Sequence, residues 1–275
     1  MGTNVVVTQL SRLEGELDLN GAAPVTGANI GLTLPSLGLY RSFDLFGRSA
    51  NLTLGVPYGT GEAMGTVAGV PRKASLNGFL DSSLRLSVNL LGGDAMKARE
   101  FARWRQDVLL GVSVKLIAPT GEYDPTRLIN LGSNRWAFKV ELGYSQRFGH
   151  WIIDAYGGGW FYTTNPEFFS RNVFYPGTRS REQAPVGSFE GHLSYDVRPR
   201  LWVSLDANYW WGGRASINGI EDPRTELKSS RVGVTASVPL TAHQSVKLSL
   251  SDGTIARYGG KYRAASLAWQ YAWID

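Results

Sequence analysis

From residue 79 to the C-terminus, apolar and polar side chains alternate with a period of two in segments of about ten residues, each closed by turn residues. Leu201, Val203, Leu205, Ala207, Tyr209 and Trp211 fall on one face of such a segment, and Trp202, Ser204, Asp206, Asn208 and Trp210 on the other. Only a β-strand sends successive side chains to opposite faces, so this period excludes a helical fold. The same alternation runs through 80–90, 108–118, 136–145, 151–162, 232–238, 246–251 and 263–273, and through Phe189, Leu193, Tyr195 and Val197 in the segment before residue 198. Residues 3–12, 28–43 and 51–58 supply three more, with a bulge expected at Pro35-Ser36. The sum is about twelve strands. Turn residues are abundant, with 33 Gly and 12 Pro in 275 residues. The longest run of apolar residues and Gly, Ala155 to Tyr162, is too short for a membrane-spanning helix.

The partition of charge between the two faces decides what the strands build. The face opposite the apolar set is expected to hold Asp81, Arg85, Lys115, Lys139, Glu141, Asp154, Glu190, His192, Asp206, Arg231, Lys247 and Arg263. A transmembrane barrel turns its apolar face to lipid and its charges to the lumen; a soluble sandwich does the reverse. The aromatic residues separate the two. Phe148 and Trp151 flank the turn Gly149-His150, and Trp136, Phe161, Tyr209, Trp211, Trp269, Tyr271 and Trp273 also lie near segment ends, where interfacial girdles belong. Short connections near 44–49, 148–151, 197–201 and 241–245 interleave with longer ones near 13–27, 59–77, 119–134, 163–185 and 212–228. That is the alternation of periplasmic turns and outside loops. One connection departs from it: Asp94 to Arg105 reads as a short helix capped by Asp94, with Lys97, Arg99, Arg103 and Arg105 on its basic side. The expectation is one antiparallel transmembrane β-barrel domain over 1–275.

Few motifs compete with this reading. There is no Cys, which removes disulfides and thiol chemistry. The three His residues (150, 192, 243) fall on different segments, so no metal site is expected. Gly59-Thr60-Gly61 with Gly65 has the wrong spacing for a nucleotide loop, and no cofactor is expected. Lys and Arg number 28 against 23 Asp and Glu, but the charges are interleaved and no basic tract points to nucleic acid. His192 and Ser194 share a strand face, and the hairpin register pairs His192 with Asp206, which are the elements of a hydrolytic triad. The outer-membrane phospholipase A family uses a similar His-x-Ser pair facing lipid, whereas parity turns His192 and Ser194 to the lumen; catalysis is therefore not expected, and a hydrogen-bonded lumen network is. A lumen of this size passes small solutes, and its charges set selectivity. The same charges can pair and close it. Loop 163–185, with Phe168, Phe169, Phe174 and Tyr175, reads either as an inward-folding gate or as a loop anchored on its own side chains.

The segments LIAPTGEYDPTRLINLGSNRWAFKVELGYSQRFG, EGHLSYDVRPRLWVSLDANYWWGG and SVPLTAHQSVKLSLSDGTIARYGGKYRAASLAWQYAW resemble the bacterial meta-pathway phenol-degradation proteins, from around residue 30 to the C-terminus. The resemblance implies a Gram-negative outer-membrane barrel, inserted by the barrel assembly machinery, in contact with outer-membrane lipid and admitting small organic, including aromatic, solutes. Members of that family begin with a secretory leader; none is legible before Val5-Val6-Val7, and its removal or omission is the expectation. Such barrels commonly end on an aromatic residue, whereas here Ile274-Asp275 follow Trp273. The function expected is passive uptake through a narrow charged lumen; the rival readings are a lipid hydrolase built on His192 and Ser194 and a closed structural or adhesive barrel.

Overall fold

The computed structural model describes residues 2–18, 25–67, 69–101 and 103–274. The strands are β1 (Thr3–Asp18), β2 (Val25–Leu45), β3 (Arg48–Val67), β4 (Val70–Phe79), β5 (Ser82–Leu91), β6 (Val108–Ala118), β7 (Ala137–Phe148) and β8 (Trp151–Tyr162). After a long loop containing β9 (Arg181–Gln183) come β10 (Val186–Arg198) and β11 (Leu201–Gly212). The short β12 (Ala215–Ile217) and β13 (Ile220–Asp222) then lead to β14 (Leu227–Pro239), β15 (Gln244–Ala256) and β16 (Gly259–Ile274).

All pairings are antiparallel, and the sheet closes on itself as β1 pairs with both β2 and β16. β4 and β5 lie in tandem along one edge of β3: Tyr58–Val67 pair with β4 and Ala50–Gly55 with β5. They occupy one position in the wall, which makes a closed barrel of 12 strands. Between them, loop 119–133 takes the place of a neighbour. Glu122 N–H donates to Phe79 O (2.8 Å), and Gly121 N–H to Asp81 Oδ1 (2.9 Å). A Cβ on Gly121 would lie 2.8 Å from the backbone of Asp81, Leu80 and Gly132, so only glycine permits this crossing. β9, β12 and β13 form a separate three-stranded sheet in the outside loops.

Closure leaves little conventional core. The side chains that a soluble protein would bury point outward: Leu84, Leu86, Val114, Val140, Leu142, Leu205, Val232, Val234, Leu248, Leu250 and Leu267 are all exposed. Aromatic rings bound this band at both ends. Trp136, Phe138, Phe161, Phe189 and Trp211 mark the outer end, and Phe148, Trp151, Tyr271 and Trp273 the end where the termini meet. From Phe138 to Phe148 the strand advances ten residues, which at about 3.3 Å each and a tilt of about 40° is roughly 25 Å, the height of an outer-membrane apolar band. The exposed surface is therefore a lipid surface, and the chain is an outer-membrane barrel.

Four sequence expectations need correction. The segments near 13–27 and 59–77 are largely strand, because β1 to β4 continue past the apolar band; their outward charges and glycines mimic loop composition. Residues 19–24 of the first lie outside the described residues. No bulge occurs at Pro35-Ser36: Thr33↔Thr60 and Ser36↔Pro57 keep one register, and the irregularity falls between Thr26 and Asn29. The helix shrinks to α1 (Ala98–Phe101), since Asp94 pairs with Arg48 instead of capping and Lys97 N–H is taken by Glu100. Ala102 lies outside the described residues.

Candidate functional site: a charged lumen under a looped mouth

Strand parity turns Arg85, Lys115, Lys139, Glu141, Asp154, Glu190, His192, Asp206, Arg231 and Lys247 inward, opposite their exposed apolar neighbours. Arg263 is not among them. It shares the parity of Leu267 and Trp269, its side chain is 83% exposed, and it pairs outside the barrel with Asp252 (3.1 Å). It lies ten residues from Trp273 along β16, at the outer edge of the apolar band, in a surface depression that also holds the outward charges Arg12, Glu14 and Asp252.

The inward residues gather into two groups. In the first, Arg85, Lys115 and Lys139 are register neighbours on β5, β6 and β7, and Trp160 of β8 continues the row. Like charges directly opposite one another repel, so the row needs counter-charge. Glu141 supplies it by accepting from Arg85 Nη2 (2.8 Å), from Lys139 Nζ and from Ser113 Oγ (3.3 Å). Glu190 accepts from Lys139 Nζ at 2.6 Å. Lys139 and Glu141 are each only 6% exposed, so this pair is held away from bulk water. Lys115 has no carboxylate partner among the described residues. Its ammonium lies over the Trp160 ring at 5.9 Å, beside that of Lys139 at 5.7 Å. Three cations share two carboxylates.

The second group lines a cavity of about 500 Å³ across β8, β10, β11, β14 and β15, bounded by Asp154, Glu190, His192, Asp206, Arg231 and Lys247 among others. Asp206 is its hub. It accepts from His192 Nδ1 (2.7 Å) and Ser204 Oγ (2.8 Å) at one oxygen, and from Thr235 Oγ1 (2.7 Å) at the other. With that hydrogen given to Asp206, Thr235 Oγ1 accepts from Ser249 Oγ at 3.1 Å. His192 faces Asp154 on its other flank and meets the edge of Tyr156, with ring centroids 5.9 Å apart. Ser194 lines the same cavity, but among the described residues it makes no hydrogen bond to His192. Arg231 lies over Tyr262 (4.2 Å) and Trp210 (5.5 Å) with no carboxylate partner among the described residues. Among the described residues no three acidic or His side chains converge as a metal set.

The outside loops roof this lumen. Ile129 and Leu131, together with Leu13, Ile30 and Leu34, pack against Leu32, Ala63 and Leu76 on the inner face of the tall wall β1–β4. Loop 163–185 is anchored on its own side chains: Phe168 and Phe169 are buried with Leu128, Tyr175 and Ile217. Three arginines in these loops escaped the sequence reading. Arg135 lies over Tyr162 (4.3 Å), Arg179 over Tyr175 (3.6 Å) and Arg181 over Phe168 (5.0 Å). Sequence alone gives loop residues no period and hence no face. The inward aromatics Trp160, Tyr162, Trp210 and Tyr262 were legible as rings on polar faces, where a lipid girdle has no use for them.

The comparisons agree with this geometry. The COG4313 outer membrane channel from Pseudomonas putida F1 superposes with a TM-score of 0.80 at 20% identity, over 99% of this chain and 96% of that one. The β domain of the Bordetella autotransporter BrkA (TM-score 0.52, 11% identity, 98% of each chain) shares the architecture more loosely. So does the transport unit of AIDA-I from Escherichia coli (TM-score 0.53, 10% identity, 98% of this chain and 90% of that). No curated protein matches the chain. The sequence profile described as "Putative MetA-pathway of phenol degradation" matches residues 39–266, and the chain belongs to that family.

Proposed function

We propose that the barrel is a passive channel for small organic solutes, with a lumen whose charge favours anions. The observation that carries the reading is the in-register row Arg85–Lys115–Lys139, which shares only Glu141 and Glu190 as counter-charge. An inward surplus of positive charge in a low-dielectric wall attracts carboxylates and phenolates and repels cations. The polar cavity between β8 and β15 continues this surface, with Arg231 and Lys247 as further unpaired cations among the described residues. The Pseudomonas protein of the same fold is named an outer membrane channel, which supports the channel, and the family description concerns phenol degradation, which supports aromatic solutes.

The channel reading also makes the protein a non-enzyme. Asp206 is engaged by three donors, and the His192–Asp206 pair faces the lumen, away from lipid acyl chains. The test is flux through the refolded barrel in liposomes, with benzoate and phenol beside small sugars and a Ser194→Ala variant in parallel. Flux above protein-free vesicles, faster for benzoate than for a neutral sugar and unchanged by Ser194→Ala, is the expected result. Folded protein that passes none of them would remove the channel.

A further inference from the structure

The loop arginines form a second concentration of positive charge, at the mouth. Arg135 Nη2 donates to Gln183 Oε1 (2.6 Å), which ties it to β9. Arg181 precedes Gln183 by two residues on that strand and so projects from the same face. Arg179 joins them around Phe168, with its guanidinium 6.0 Å from that ring. Among the described residues none of the three has an ion pair. Asp81, a carboxylate of the same roof, is already occupied by Gly121 N–H, Ser133 N–H and Ser133 Oγ–H. Two donors, Arg135 Nη1 and Arg179 Nη1, are buried with no acceptor. Each such orphan costs about 1–3 kcal/mol, more when charged, so it signals a partner that is not the protein itself. Burial, reinforced by the charge of Arg181, pushes the pKa of Arg135 down to about 10, which leaves it charged at neutral pH and short of counter-charge.

The placement is functional ground. Tyr162, under Arg135, stands one inward position above Trp160, over which Lys115 and Lys139 lie. We propose that Arg135, Arg179 and Arg181 form an anion-recognition site in the mouth that takes the carboxylate of a small planar organic acid. A guanidinium presents paired N–H groups that match the two oxygens of a carboxylate, and the rings beside them accept a flat apolar body. Arg135, Arg179 and Arg181 are each half-buried, so part of every side chain stays open to an acid arriving at the mouth. From there the next cations are Lys115 and Lys139.

This inference deepens the channel reading and rests on it for its purpose, so binding is measured apart from flux. Full-length protein in detergent is titrated with benzoate and with its neutral isostere benzamide, following tryptophan fluorescence or calorimetry. Benzoate is expected to saturate the protein, with benzamide weaker by about tenfold or more, since a charged hydrogen bond is worth at least that. Arg135→Gln and Arg181→Gln should each weaken benzoate about tenfold and leave benzamide unchanged. Equal binding of the two ligands, or benzoate affinity untouched in a folded variant, overturns the site; if Arg135→Gln does not refold, Arg181→Gln and the benzamide comparison decide. Benzoate binding without liposome flux would remove the channel and keep the site. Phenol flux without benzoate binding would do the opposite.

Discussion

His192 Nδ1 lies 2.7 Å from Asp206 Oδ1, and the two residues are direct register partners on β10 and β11. The contact is fixed by the hairpin itself: the ladder that pairs Ser194 with Ser204 pairs His192 with Asp206 and sends all four inward. Asp206→Ala should therefore strip an acceptor from His192, Ser204 and Thr235 together and lower unfolding stability by about 1–3 kcal/mol, read as an earlier urea midpoint in lipid vesicles. Ser194→Ala should leave that midpoint within about 0.5 kcal/mol of wild type.

Glu141 is the shared counter-ion of Arg85 and Lys139. Glu141→Gln should cost about 1–3 kcal/mol, because half-exposed Arg85 loses its carboxylate while buried Lys139 keeps only Glu190. In a planar bilayer under a salt gradient, the same variant should move the reversal potential further toward the anion limit. Movement toward the cation limit would contradict the cation surplus.

Lys115 offers the complementary experiment. It has no carboxylate partner among the described residues, so Lys115→Met removes charge without orphaning an acid. Anion preference should fall while the urea midpoint shifts by less than about 1 kcal/mol.

Leu205 and Arg263 test where the membrane ends. Both face outward, but Leu205 lies mid-strand in the apolar band and Arg263 at its outer edge, paired with Asp252. Leu205→Arg should cost about 2–4 kcal/mol in vesicles, and Arg263→Ala close to nothing. Equal costs would mean that the band is misplaced.

Gly121 holds the roof against β4 and β5 by an approach that no Cβ permits. Gly121→Ala should lift loop 119–133 from the break at Leu80-Asp81 and raise single-channel conductance. Conductance unchanged in a folded variant would show that this loop does not limit the pore.

Wherever lipid lay on one side of the wall and solution on the other, sequence was sufficient. Strands such as Trp151–Tyr162 and Leu201–Gly212 match their alternating segments to within one residue at each end, and the His192–Asp206 pairing follows from turn length and parity. From the outer edge of the apolar band upward both faces meet water, and the alternation stops carrying information. That is why Arg263 was placed in the lumen and why the upper reaches of β1 to β4 read as loops. The arginines of the roof were beyond reach for a different reason: Arg135, Arg179 and Arg181 meet through contacts between loops, and nothing in local spacing encodes those.

The wall is uneven in height. β2 and β3 have 21 and 20 residues, whereas β6, β7 and β8 have 11 or 12. The surplus of about eight residues carries one side of the barrel roughly 25 Å further along the strand direction, out among the sugars of the cell surface. Its outward pairs, Arg12–Glu14 and Lys73–Glu62, suit that polar layer. The molecule consequently has a back and a front. On the side of β2 and β3 the mouth stands behind a rampart, whereas over β6 to β8 it is bordered only by folded loops, so its approach is one-sided.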